Sequence, residues 1–541
     1  MRKAVKKYTR QALLSIAAGA LLWAQAPGGY QPSPFETKPN RGEMPFASIV
    51  AGEIDKVDTT SGNLSLSVPL AALPPWRGGQ QFGLSLVYNS SVFDVLPEWA
   101  TVVVNSQSVR VVQNKLGPSA TTGGWKYNFR NIGVELEERR ADLGPGISCG
   151  SSDSWRLYRL RVGLPDGSQH TLHLKGQGTE VEVGGSPDGF YPFNPNGQRS
   201  PCATTSPGSS TYPSNLTGTL TYFTTDGSFL KLEVDTLTGL QAWRLFLPDG
   251  SRIIGVGEAA KAIDDASGNR VAIADQCNDV ACTDISTYIE TVQPAGTPAN
   301  AYTRQIEIHY NATNWRDSTT DQIRYRGYGQ TSTQYHTTTV NWTQVQLNPT
   351  PQAQRDYLCW KYGPEPATKG TCSLRNMSLR QVSSIVLPIP NRSYAFGYRD
   401  YSVNGYGQLG AITTPTGIQY SFTYEREGTG TPLDTTTPDS SDYAARIKTR
   451  RRVGAGQDLT WTYVPENNKT TLSGPDGTSI FYYYDKSLAS NWFKGLTWKT
   501  EVQASGEVVE RIWSQNPARP HPGSRLVHCI ARWDRQNEED C

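Results

Sequence analysis

The sequence predicts an all-β protein, with an antiparallel, β-sandwich-like amino-terminal part followed by a curled array of hairpins. Three features carry that expectation. Apolar residues fall on alternate positions in segment after segment, which puts one face of each strand in a core and the other towards water. Gly, Pro, Asn and Asp cluster between those segments, where they set turn geometry. Helical periodicity is scarce beyond the first 26 residues, and "VGEAAKAIDDA" (256–266) supports a helix of two or three turns at most. With 51 Gly, 35 Pro, 27 Tyr and 37% hydrophobic residues, the composition favours turns and strands while leaving enough apolar surface for a folded interior. The 541 residues exceed the roughly 250–300 at which one core stops growing, so two or more core units are expected. A formal net charge of +2 gives no broad field, which argues against nucleic acid as a partner.

Residues 1–26 read as a signal peptide. Arg2, Lys3, Lys6, Lys7 and Arg10 form a basic start, Leu13 to Ala24 an apolar stretch too short to span a bilayer, and Ala24-Gln25-Ala26 a small-residue cleavage pattern. Pro27 disfavours cutting at that bond, which leaves a shifted cut or a retained anchor as alternatives. No later segment is long and apolar enough for a transmembrane span, so the expected location is secreted or cell envelope. Residues 27–48 form a Pro- and Gly-rich leader.

The β region from 49 to 260 opens with the clearest pair of strands. Leu64, Leu66, Val68 and Leu70 alternate, as do Phe82, Leu84, Leu86 and Tyr88, and a Pro/Gly-rich connection joins them. A short phrase then recurs: "LPDGSQHTLHL" from Leu164, "TTDGSFLKLEV" from Thr224, "LPDGSRIIGV" from Leu247, "DASGNRVAI" from Asp265, "TPTGIQYSFTYE" from Thr414 and "GPDGTSIFYYYD" from Gly474. Each is a turn followed by a strand. Asp bonds back to nearby backbone, and Gly supplies the positive φ that tightens the turn. The spacing is irregular, so the pattern is a degenerate hairpin array that stacks into one continuous sheet, not a fixed-period solenoid. A second β region spans 261–424, a linker 425–442, a further β segment 443–515 and an atypical tail 516–541. The basic run "IKTRRRV" (447–453) reads as a solvated strand edge.

The chain has eight cysteines. Cys277 and Cys282 are near neighbours, as are Cys359 and Cys372, and Cys529 and Cys541, while Cys149 and Cys202 form a longer-range candidate pair. An even count in an exported chain suggests disulfides, with connectivity left open. The spacings are scattered and lack a C-x-x-C pair, so neither a metal nor another cofactor is expected.

Chemistry-bearing patterns are thin. "GISCG" (146–150) matches G-x-S-x-G but lacks the strand before and the helix after that a nucleophile elbow needs. His170 and His173 lie on opposite faces of a strand, which argues against a joint metal site. His309 opposes the Ile306, Ile308 and Tyr310 face and reads as solvated. Asp264 to Asn269 lacks EF-hand spacing and reads as a turn. Trp76, Trp125, Trp492 and Trp498 read as core residues rather than sugar platforms. No catalytic residue is assigned.

Several motifs taken in order resemble the amino-terminal region of bacterial RHS (YD-repeat) proteins. They are Gly62-Asn63-Leu64, Arg77-Gly78-Gly79, Tyr88-Asn89-Ser90 and Gly124-Trp125. The DG phrases follow at Asp166-Gly167, Asp226-Gly227, Asp249-Gly250 and Asp476-Gly477, with Gly268-Asn269 in "DASGNR" and Tyr484-Asp485 as a YD pair. The resemblance covers roughly residues 49–513 and is patchy between 280 and 390; shell subunits of bacterial toxin complexes look like more distant relatives. It implies a long β-sheet wound into a hollow shell, which in several such proteins carries a variable C-terminal toxin. Here no tandem repeats follow residue 513, and the RHS core motif with its self-cleavage site and toxin is absent, so the chain reads as truncated before the RHS core. The expected function is therefore a non-catalytic structural module for interaction or encapsulation, related to polymorphic toxins. Its expected partner is a downstream RHS core or toxin polypeptide, or a cell-surface glycan. A carbohydrate-binding surface adhesin and a secreted hydrolase are the alternatives.

Overall fold

In the computed structural model the described residues are 41–42, 49–73, 82–104, 107–119, 122–142, 154–175, 189–200, 215–275, 288–294, 305–312, 315–326, 334–347, 360–361, 377–399, 407–425, 446–466, 468–483, 497–504, 506–513 and 529–532. Every regular element among them is a β-strand or a single 3-10 turn, and the strands pair antiparallel. The all-β expectation is met.

A five-stranded sheet runs in the order Ile49–Ala51, Asp55–Asp58, Leu64–Ala72, Gly83–Asn89 and Gly124–Tyr127. Its central pair is the alternating hairpin of the sequence, with Val68 opposite Leu86 and Leu66 opposite Tyr88. Leu64, Leu66, Val68, Leu84, Leu86 and Tyr88 are buried on one face, while Ser67 and Pro69 point outward. A separate three-stranded sheet joins Phe93–Val104, Gln107–Pro118 and Trp360–Lys361.

Among the described residues the large sheet contains 24 strands, from Gly133–Asp142 to Cys529–Arg532, paired in chain order except that Trp360–Lys361 is passed over, so that His336–Leu347 lies beside Met377–Val386. It curls until it meets itself. Ala259 pairs with Gly133, Val134 N donates to Glu258 O (3.1 Å), and Ala260 N donates to Ile132 O (3.3 Å). The strands between these points, Gly133–Asp142 through Ala259–Asp264, make a closed ring, and the later strands continue from it as a ribbon. The second half of Ala259–Asp264 pairs with Arg270–Asp275, so this strand serves both the seam and the ribbon.

The apolar face of the five-stranded sheet lies on the ribbon. Leu409 N donates to Tyr88 Oη (2.8 Å), Trp125 Nε1 to Tyr398 Oη (2.7 Å) and Tyr127 Oη to Asp321 Oδ2 (2.7 Å). Asp321 also accepts from Trp342 Nε1 (2.7 Å) and Ser318 Oγ (2.5 Å), so three donors satisfy a fully buried carboxylate. One connected hydrophobic cluster results, running from Val57 to Leu472 and drawn from both sheets.

Two local expectations are corrected. The segment expected to be a short helix is a hairpin: Arg252–Val256 turns at Gly257 and Glu258 into Ala259–Asp264. Ala260, Ala262 and Asp264 face inward, and pairing on both sides outweighs the helix preference of Ala, Glu and Lys. The basic run is no solvated edge either. Arg446–Gly454 is an interior strand, paired with Gln419–Glu425 and Gln457–Glu466. Arg450 is buried and grips Asp55 with two bonds, Nε to Oδ2 at 2.6 Å and Nη2 to Oδ1 at 2.9 Å. Its guanidinium also lies 4.4 Å from the Trp461 ring centroid. Arg446 donates to the carbonyls of Thr60 and Ser61, and Arg452 to Glu53. These arginines face acceptors of the amino-terminal sheet, while Arg451 points outward to Asp458. Burial raises the Asp55 carboxyl above its usual value, and Arg450 works against that rise.

Candidate functional site

The sequence motifs meet where the polar face of the five-stranded sheet touches the ring. Asn63 and Asn89 belong to motifs 26 residues apart, and Asn63 Nδ2 donates to Asn89 Oδ1 at 3.1 Å. Asn89 Oδ1 also accepts from Gly42 N (2.8 Å), and Asn89 Nδ2 donates to Thr122 O (3.1 Å). Ser90 Oγ donates to Asn63 Oδ1 (3.2 Å) and accepts from Leu64 N (2.9 Å). Gly62 and Gly124 both adopt a positive φ of 71°, and Gly124 sits opposite Asn89 in the strand register. Arg41 closes the far side by donating to Ser91 O (2.7 Å) and Asp94 Oδ1 (2.6 Å). Asn63, Asn89, Ser90 and Arg41 are all buried.

The ring reaches this node through its first DG turn. Gly167 adopts φ 83°, and a Cβ there would overlap Asn89 Nδ2, so only glycine fits both the turn and the contact. Asp166 Oδ1 accepts from Ser168 Oγ (2.7 Å) and Ser168 N (3.2 Å). The same Asp–Ser clasp recurs at Asp226–Ser228 (Oγ 2.6 Å) and Asp249–Ser251 (Oγ 2.5 Å). It is the mechanical content of the repeated phrase, an Asx-type turn that launches each strand.

Ser168, His170 and Asp226 stand in a row. Ser168 Oγ is 2.9 Å from His170 Nε2, and His170 Nδ1 is 2.6 Å from Asp226 Oδ2. The order matches a hydrolytic triad, but two facts oppose that chemistry. Ser168 is 0% exposed and His170 is 1% exposed, so no substrate carbonyl reaches the hydroxyl. The Ser168 hydroxyl also donates to Asp166, whereas a nucleophile must give that proton to the imidazole. What the row does is tie two successive DG turns together. Burial works to raise the Asp226 carboxyl, but bonds from His170 and Ser228 outweigh it and hold the group below its usual range.

Other sequence candidates are scattered. Asp249-Gly250 and Asp476-Gly477 form turns elsewhere on the large sheet. In the Asp264–Asn269 turn, Asp265 Oδ1 accepts from Ser267 N (2.9 Å) and Asn269 N (2.7 Å), and Asp264 pairs with Arg252 and Arg270. His309 is only 12% exposed and bonds to Glu307 at 2.9 Å, which corrects its reading as solvated. His170 and His173 do sit on opposite faces of Gln169–Lys175. Trp125 is a core residue. Trp498 stands beside Tyr482, 5.9 Å between centroids. Arg77, Gly78, Gly79, Tyr484, Asp485, Trp76, Trp492, the "GISCG" segment, the signal peptide and every cysteine except Cys529 lie outside the described residues. Cys529 opens the strand Cys529–Arg532. Sequence reasoning did not find Arg41, Gly42, Thr122 or the His170–Asp226 link; the Ser that follows Asp-Gly in three phrases was the available signal. Among the described residues no helix is long and apolar enough to cross a membrane. Compared with known protein families and with curated proteins, the sequence matches none.

Proposed function

We propose that this chain is an exported, non-catalytic structural module of the RHS/YD-repeat type, the front part of a β-shell that a downstream RHS core or toxin polypeptide continues. One observation carries the reading: Gly62-Asn63-Leu64, Tyr88-Asn89-Ser90 and Asp166-Gly167, the residues of the resemblance, spend their polar groups on one another in a buried clamp. Residues that anchor one another suit a scaffold. The curled sheet, which meets itself at Gly133 and Ala259, supports the shell reading. The basic start and apolar stretch of residues 1–26 support export.

The test pairs activity with location. Purified chain and its Ser168→Ala variant are assayed on ester, peptide and glycoside panels, and expressing cells are fractionated. The proposal predicts no turnover that depends on Ser168, with the chain in the secreted or envelope fraction. Turnover lost in Ser168→Ala, or a chain retained in the cytoplasm, contradicts it.

A further inference from the structure

Beside the seam, where Gly133 meets Ala259, a cavity of about 340 Å³ opens between the ring, Lys126 of the five-stranded sheet and the turn at Trp315. That is many times the roughly 30 Å³ one water occupies in the liquid, and it lies at the lower end of the roughly 300–1,000 Å³ typical of small-molecule sites. The charged residues of its lining are already engaged. Lys126, Arg130, Arg316 and Glu135 all have partners within the protein, and the guanidinium carbons of Arg130 and Arg316 lie 4.4 Å and 4.8 Å from the Trp315 ring centroid. Lys261 and Glu258, the other two, carry opposite charges. The charges give no call for an ionic ligand.

The groups left open are neutral. Among the described residues, Thr122 Oγ1, Asn131 Oδ1 and Gln169 Oε1 are buried with no hydrogen-bond partner, on residues that are 3%, 4% and 7% exposed. Trp315 Nε1 is buried and open in the same way. Both amides are held with the oxygen as the open atom, because Asn131 Nδ2 donates to Pro165 O (3.3 Å) and Gln169 Nε2 to Glu135 Oε2 (3.5 Å). Turning either amide over would set oxygen against oxygen. Buried polar atoms normally find a partner in protein, water or ligand. Beside these four atoms, Phe129, Ile132, Val134, Ala260 and Ile273 add a buried apolar wall.

We propose that this cavity binds a neutral pyranose sugar, free or as the end residue of a glycan. A hydroxyl is neutral and both donates and accepts, so the hydroxyls of one sugar ring donate to Thr122, Asn131 and Gln169 and accept from Trp315 Nε1. The C–H face of the same ring covers the apolar wall, which water alone would leave hydrated. A carboxylate fits worse. It only accepts, so it answers the indole N–H and sets its charge against three oxygens. The inference goes beyond the scaffold reading and does not depend on it.

The test is titration calorimetry of the full chain with D-glucose, D-galactose and D-mannose, with their methyl glycosides, and with D-glucuronate and cyclohexanol as controls. The expected result is saturable binding of at least one hexose, with both controls at least about ten-fold weaker and with affinity unchanged between about 0.05 and 0.5 M NaCl. Methyl glycosides that bind as well as the free sugars assign the site to a glycan end, and free sugars alone assign it to a small molecule; both support the shared chemistry. Thr122→Val removes an atom that no described group uses, so the thermal midpoint stays while hexose affinity falls about three- to ten-fold. Gln169→Leu weakens binding by a similar factor, and Trp315→Phe weakens it and removes the change in tryptophan emission. Tighter binding of glucuronate, or affinity that collapses with salt, means that charge selects the ligand. Equal binding of cyclohexanol reduces the cavity to an apolar site. Binding that ignores Thr122→Val and Gln169→Leu places the sugar elsewhere, and no binding of any hexose leaves a hydrated cavity. Each of these four results overturns the proposal.

Discussion

Replacing Asn89 by leucine, close in size and without polar atoms, removes the centre of the clamp. Asn89 is 0% exposed, and the change leaves Gly42 N–H, Asn63 Nδ2 and Thr122 O without the partners they have at 2.8, 3.1 and 3.1 Å. A buried polar group left unsatisfied costs about 1–3 kcal/mol. Three that share one partner do not add fully, so the expected loss is about 3–6 kcal/mol. Set against a total stability of about 5–15 kcal/mol, that is a large fraction. The assay is urea denaturation followed by tryptophan fluorescence and far-UV circular dichroism, with Leu237→Ser at a 90% exposed position as the control. The control moves by no more than about 0.5 kcal/mol. Hydrogen exchange adds a spatial readout, because protection falls both in Leu64–Ala72 and around Gly167, two places that the clamp joins. An Asn89→Leu protein that unfolds within about 0.5 kcal/mol of the parent refutes the reasoning.

Further expectations concern the neighbouring residues. Gly167→Ala meets both a φ of 83° and the Asn89 side chain and loses about 3 kcal/mol or more, whereas Gly257→Ala, at φ 62° with open space around it, loses about 1–2 kcal/mol; equal losses in urea midpoints would show that the contact is immaterial. Because the folded state holds Asp226 below its ordinary 3.8, its stabilising contribution is present above that value and fades as pH falls through the lower folded value. Asp226→Asn therefore loses stability at about pH 6 yet shows a shallower acid decline than the parent, and parallel acid profiles refute the link. Lys126 acts in the same direction at higher pH: with its folded value near 7 and its ordinary value 10.5, the unfolded chain binds more protons between the two, so stability rises with pH across that window. The rise has a ceiling of about 4–5 kcal/mol, and Lys126→Met flattens it; an unchanged slope in the variant assigns the effect to another group.

Much of the fold could be read in the sequence because strand alternation and turn chemistry are local. Leu64 to Leu70 and Leu84 to Tyr88 announced both their strands and their inward faces, and each Asp-Gly phrase announced its turn. What failed were features decided by distant partners. The basic run looks solvated until Asp55, 395 residues away from Arg450, supplies its counter-charge. The Ala-rich 256–266 segment looks helical until strands on both sides claim its backbone. His309 alternates outward correctly, but Glu307 on the same face covers it. The clamp was half legible: its asparagines and glycines stood out as motifs, yet nothing local indicates that Asn63, Asn89 and Gly167 meet. The seam cavity left no trace at all, since Lys126, Gln169 and Trp315 come from separate segments that only the curl of the sheet assembles.

The claim on which the account rests is that the amino-terminal sheet is docked on the late strands of the curled sheet as one body. A double-mutant cycle on Asp55 and Arg450 measures it most directly, because this buried two-bond pair links strands whose paired residues lie 395 positions apart. Asp55→Leu, Arg450→Met and the double variant are compared by urea denaturation. The account predicts that each single change costs about 3–5 kcal/mol by stranding a buried charge, and that the double variant recovers a coupling of about 2–4 kcal/mol. Additive losses, with coupling within about 0.5 kcal/mol of zero, would mean that the two strands do not meet, and the docked arrangement would be contradicted.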